Sequence, residues 1–183
     1  MAKRKLDWVG TTGGPHLLVP EAHACHWEGV AEPSHGRKVQ ATFRYDRAGV
    51  ATDYDRACDM PGWAGAIRVG RGYGVVLTGD MTMAAQYMWA GRQFIIRWVY
   101  APSESALLAH FRAVIDSLAA EEEAFFRHPG GRVVLLDAGD IPRSWLGDHA
   151  EFELPAGRYR VTSVYTAAKE VSFIAHELQR VGA

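Results

Sequence analysis

The chain has 183 residues, enough for one ordinary domain and too few for two large ones. Hydrophobic residues make up 48% and charged residues 22%, which excludes a disordered chain. A formal net charge of −1 gives no basic footprint for nucleic acid, and no apolar run reaches the roughly 18–20 residues of a membrane helix.

The opening Met1-Ala-Lys-Arg-Lys-Leu-Asp-Trp8 is basic, but it lacks the apolar stretch of a signal peptide. Cys25 and Cys58 lie far apart in sequence, so free thiols in a reducing cytoplasm are expected.

Extended segments dominate the pattern. Leu17-Leu18-Val19, bracketed by Gly13-Gly14-Pro15 and Pro20, predicts a buried strand. Val39, Ala41, Phe43 and Tyr45 alternate with Gln40, Thr42 and Arg44, which predicts a half-buried strand over 39–45. Residues 64–69 and 73–77 flank Gly70-Arg71-Gly72 and read as a hairpin. Residues 81–89 are mixed, with some helical character. The aromatic and β-branched run at 94–100 predicts a central strand that carries Trp98 into the core.

One helix is expected over 104–119. Ser103 suits its N-cap, Glu104 its first turn, and Leu107, Leu108, Phe111, Val114, Ile115 and Leu118 form one apolar stripe. Arg112 and Asp116 stand four apart on the other side. Strands return at 124–127, 132–136, 158–165 and 171–178. The segment Gly72 to Asp80 echoes Gly130 to Asp140, the mark either of two related β-rich halves or of two ordinary hairpins. The fold class expected is α+β, mainly antiparallel sheet with one long amphipathic helix. A single domain over 1–183 is expected, with sub-domains 1–120 and 121–183 as the alternative division.

Few motifs carry chemistry. His23-Ala-Cys25-His26 crowds three candidate ligands together and lacks the second pair that a zinc site needs, so it reads as a polar turn. Asp53-Tyr-Asp55-Arg56-Ala-Cys58-Asp59 admits three readings: a helix cap or turn, a binding surface, or oxygen ligands for a divalent ion. Glycines 70, 72 and 74 precede a strand and not a helix, so they make no phosphate loop. His176-Glu177 begins a zinc-protease pattern, but Arg180 stands where the second histidine belongs. Trp89, beside Tyr87 and Met88, reads either as core or as an exposed anchor.

Several segments, in order, resemble the immunity protein 21 family. They are Trp8 with Gly13-Gly14-Pro15 and Leu17-Leu18-Val19-Pro20, then His26-Trp27-x-Gly29, then Asp53-Tyr54-Asp55-Arg56-Ala57-Cys58. Val76-Leu77-x-Gly79-Asp80, Arg97-Trp98, residues 134–138 and Leu154-Pro155-x-Gly157-Arg158-Tyr159 follow the same pattern. The chain departs from it at Met81, where an acidic residue and a proline are expected, and in a longer 32–50 segment.

The resemblance implies a cytoplasmic bacterial protein of a polymorphic toxin system that protects its producer by binding a toxin domain. It implies no enzyme activity, catalytic residue, metal or cofactor, and a protein partner in place of nucleic acid or membrane. Glu28, Asp53, Tyr54, Asp55, Arg56 and Asp59 are the candidate contacts. Trp8, Gly13, Gly14, Pro15, Trp27 and Gly29 are expected to hold the fold. Two other classes stand beside this one: an interaction module for a partner that is not a toxin, and a divalent-metal-dependent enzyme using Asp53, Asp55 and Asp59. The oligomeric state is left open.

Overall fold

The computed structural model describes residues 5–31, 41–44, 51–79, 83–142 and 147–182. His35, Asp80, Met81, Trp145 and most of the 32–50 segment lie outside the described residues.

Eleven strands are described: β1 (Val9–Gly10), β2 (His16–Pro20), β3 (Ala64–Val69), β4 (Gly72–Leu77), β5 (Met83–Trp89), β6 (Arg92–Tyr100), β7 (Glu122–His128), β8 (Gly131–Asp137), β9 (His149–Leu154), β10 (Gly157–Ala167) and β11 (Ser172–Arg180). Helices α1 (Glu21–Ala24), α2 (Asp53–Cys58) and α3 (Glu104–Val114) complete the set, with a 3₁₀ turn at Ile115–Ser117. The strands make two antiparallel sheets, in the orders β1-β5-β6-β11-β10-β7 and β3-β4-β2-β8-β9.

Alternation along each strand sorts side chains into layers. Leu18, Val75, Leu77, Val133 and Leu135 of the five-stranded sheet meet Ala84, Ile95, Phe126, Tyr159, Val161 and Leu178 of the six-stranded sheet. Those residues form the inner core of a sandwich. On the outer face of the six-stranded sheet, Phe94, Ile96, Phe173 and Ala175 receive Leu107, Leu108, Phe111 and Ile115. On the outer face of the other sheet, Leu17, Val19, Val76, Val134 and Leu136 pack beneath Ala24, Trp27 and Ala57. The order through the molecule is therefore α1 and α2, five-stranded sheet, six-stranded sheet, α3.

Several expectations are met. β2 is buried at every position, the 64–77 hairpin pairs Val69 with Gly72, and β6 is an internal strand. The two echoing segments become β4 and β8, which flank β2 on either side.

The helix is shorter than expected. The α-helix stops at Val114, the 3₁₀ turn ends at Ser117, and Leu118 is already extended. Ser117 Oγ donates to the Val114 carbonyl at 2.8 Å, and Arg92 takes Asp116 at 2.5 Å, so the last expected turn is drawn toward β6. Arg112 bonds the Tyr87 hydroxyl, so the 112–116 pair is replaced by two separate contacts.

The described part of the 39–45 segment, residues 41–44, is not a strand. Asp59 accepts the amides of Thr42 and Phe43 instead, which turns the Phe43 ring outward. Residues 83–89 are strand, not helix, because β6 pairs with them along their whole length. Ala90 and Gly91 close that hairpin, both at positive φ (50° and 76°), the geometry of the tight turn that matches strand twist. Trp98 is only half-buried, set edge-on to Trp8 with ring centroids 5.2 Å apart. Trp89 packs from the margin onto the same outer cluster.

Candidate functional site

The first segments singled out in the sequence converge at one end of β2. Thr52 and Asp55 make a reciprocal cap for α2: the Thr52 hydroxyl accepts from the Asp55 amide at 3.2 Å, and the Asp55 carboxylate accepts from the Thr52 amide at 2.6 Å. Asp53 then reaches backward. One oxygen accepts from the Glu28 amide at 3.1 Å and the other from Arg56 at 2.7 Å, while Arg56 also donates to the Arg68 carbonyl of β3 at 2.7 Å. Helix α2 is thereby tied both to the Trp27–Gly29 turn and to the sheet.

That turn is closely fitted. Trp27 is fully buried and donates its indole N–H to the Ala138 carbonyl at 2.8 Å. Gly29 sits at φ 54°, where a Cβ would lie 2.2 Å from the Gly139 carbonyl oxygen, so backbone passes backbone there without room for a side chain. Asp137 holds the exit of β8 to the Gly13-Gly14 turn, accepting from Thr12 at 3.2 Å and Gly139 at 2.8 Å. Tyr54 lies across Gly14, and a Cβ added there would stand 2.4 Å from the phenol oxygen. Gly14→Ala is therefore expected to displace the Tyr54 ring and cost about 1–3 kcal/mol, the range for forcing a methyl into a packed site. Urea unfolding measures the cost; an unchanged midpoint would mean that Tyr54 swings aside freely.

Between these segments lies an open cleft of about 250 Å³, lined by Gly13, Gly14, Pro15, Phe43, Tyr54, Ala57, Cys58, Thr78 and Gly79. Phe43 and Val30 are exposed, at 42% and 41%. Burial pushes the Cys58 thiol up to about 11; contact with Tyr54 opposes this, while Asp55, Asp59 and Asp137 add to it. The bonds from Thr42 hold Asp59 below the usual carboxylate range, aided by the Phe43 amide and Arg44. Beside the cleft, burial and then Asp137 and Asp148 raise Asp140.

The structure separates the candidate contacts by depth. Glu28, Asp53 and Asp55 are at most 1% exposed, and the Asp53 and Asp55 carboxylates are engaged by the Glu28 and Thr52 amides. Tyr54, Arg56 and Asp59 are half-buried and accessible. Among the described residues, no group of three His, Cys, Asp or Glu side chains is placed to hold a metal ion. Phe43, Thr78 and Asp137 were missed as neighbours of the site, while Cys58 was already part of the Asp53–Asp59 cluster. Of the three, Asp137 left a signal, in the echo segment and in the family segment 134–138.

Two antiparallel sheets packed face to face, with helices on their outer faces, define the chain as a β-sandwich protein with its cleft at one end of β2. A family model described as Immunity protein 21 matches residues 7–172, and the chain belongs to that family of immunity proteins. Searches of curated proteins and of solved structures found no match. No helix among the described residues is long and apolar enough to cross a membrane.

Proposed function

We propose that the chain neutralises a cognate toxin domain by binding it directly and covering its active site, as a stoichiometric inhibitor in the producing cell's cytoplasm. The observation that carries this reading is the convergence of three family segments on one cleft, with exposed Phe43 in its lining. Binding energy in such interfaces concentrates in a few anchors at a small pocket, ringed by contacts that exclude water. Charged groups around it speed association. Tyr54, Arg56 and Asp59 are the contacts proposed from the original set.

Two features support an inhibitor over an enzyme. The carboxylates of Asp53, Asp55 and Asp59 are each engaged by backbone amides. Ser163 and His176, 2.9 Å apart and resembling a catalytic pair, are both fully buried between the sheets.

Co-expression with the toxin domain encoded beside this chain is expected to restore growth and to yield a co-purifying complex. Growth without a complex would replace occlusion by an indirect route, and neither growth nor complex would overturn the toxin reading in favour of another partner.

A further inference from the structure

The cleft has walls of one kind and surroundings of another. Phe43 and Tyr54 stand nearly edge to face, with ring centroids 6.5 Å apart and planes at 73°. None of the lining side chains among the described residues is basic, and Arg97, buried behind the lining, is spent on the Thr78 and Gly79 carbonyls. Asp55, Asp59 and Asp137 all act on the Cys58 thiol in the lining, each opposing a negative charge there. Arg44 offsets the Asp59 part of this, and its guanidinium donates to the carbonyls of Ala41 and Phe43, which leaves Asp55 and Asp137 as the remaining contributions at Cys58.

We infer that the cleft is a socket for a single arginine or lysine side chain presented by the bound protein. Aromatic faces attract a cation through their quadrupole, and nearby carboxylates add a longer-range pull. The same field repels an acidic side chain. A volume of about 250 Å³ takes one long side chain, and it falls below the roughly 300–1,000 Å³ of sites that enclose a small molecule. The Asp59 bonds to Thr42 and Phe43 hold the Phe43 wall in place at these two residues before anything enters.

This inference rests on the direct-binding reading, yet the cleft can be tested without the toxin. In a Cys25→Ser chain, Cys58 is the sole thiol, and its rate of alkylation reports occupancy of the cleft. N-acetylarginine amide is expected to slow that alkylation, whereas the neutral isostere N-acetylcitrulline amide leaves it unchanged. Phe43→Leu, which keeps apolar bulk and loses the ring, is expected to weaken the protection. Equal protection by both amides, or by neither, would overturn the cation socket and leave the toxin reading untouched.

In the complex, Cys58 is expected to be protected, and Phe43→Leu to loosen binding by roughly tenfold, with Phe43→Tyr close to wild type. A tight complex that leaves Cys58 as reactive as in the free chain would overturn the socket alone. Arginine-specific protection without any toxin complex would support the socket and overturn the choice of partner.

Discussion

Trp27→Ala is expected to destabilise the protein by about 3–5 kcal/mol, the range for deleting a large buried aromatic side chain. The side chain is wholly enclosed between the outer face of the five-stranded sheet and the α1–α2 layer. Its loss leaves a void bordered by Leu17, Val19, Val134 and Leu136 and unpairs the Ala138 carbonyl, which accepts its indole N–H. The turn it anchors also carries the Glu28 amide held by Asp53, so α2 and the cleft loosen with it. Trp27→Phe retains most of the volume and is expected to cost about 1–2 kcal/mol. Urea denaturation of both variants decides the matter. A Trp27→Ala midpoint within experimental scatter of wild type would show that this residue does not hold the layer.

Acid is expected to weaken the fold well above the range in which carboxylates titrate. His16 and His176 lie fully buried between the sheets, in the same interior as Arg97 and Ser163. His16 bonds the Val9 carbonyl through Nε2 and His176 bonds Ser163 through Nδ1. The second nitrogen of each ring is buried without a partner among the described residues. Desolvation, and then the Arg97 charge, pull His16 down to about 3 and His176 well below its ordinary value. The unfolded chain takes up these protons near pH 6.5 and the folded chain does not. Stability therefore falls as pH drops through that value and continues to fall until the folded rings protonate.

The loss amounts to about 2 kcal/mol per histidine between pH 7 and pH 5. Burial lowers His128 as well, which adds in the same direction. Unfolding free energies at pH 7, 6 and 5 are expected to fall along this curve, and His176→Gln is expected to flatten it. Equal stability at pH 7 and 5 would mean that the rings are already charged inside the sandwich.

How much of this was legible in the sequence depended on whether local pattern and tertiary environment agreed. β2, β4, β6 and β8 are buried apolar runs between turn residues, and nothing in the fold competes with that reading. β5 is built from Met, Ala and Gln, which favour helix in isolation, and only pairing with β6 makes it a strand. β1 has two residues and offers no periodic signal, whereas β9 alternates His149, Glu151 and Glu153 with Ala150, Phe152 and Leu154, a signal that was there to read. The 41–44 segment alternates like a strand, yet a carboxylate fifteen or more residues downstream captures its amides.

The site divided along the same line. The Asp53–Asp59 cluster was visible as a feature, but burial, which sequence does not display, decides which carboxylates cap a helix and which face outward. Phe43 was invisible as a cleft wall because its position depends on Asp59.

β11, the last strand in sequence order, lies inside the six-stranded sheet between β6 and β10 and not at its edge. A nascent chain that has emerged from the ribosome only as far as residue 171 therefore has a sheet with its middle missing, and β6 and β10 have no common neighbour. β2 likewise waits for β8 before its second flank is covered. Such long-range closure is slow and all-or-none in character. A half-made copy thus lacks the centre of its sheet, and the folded surface is complete only after translation has passed β11.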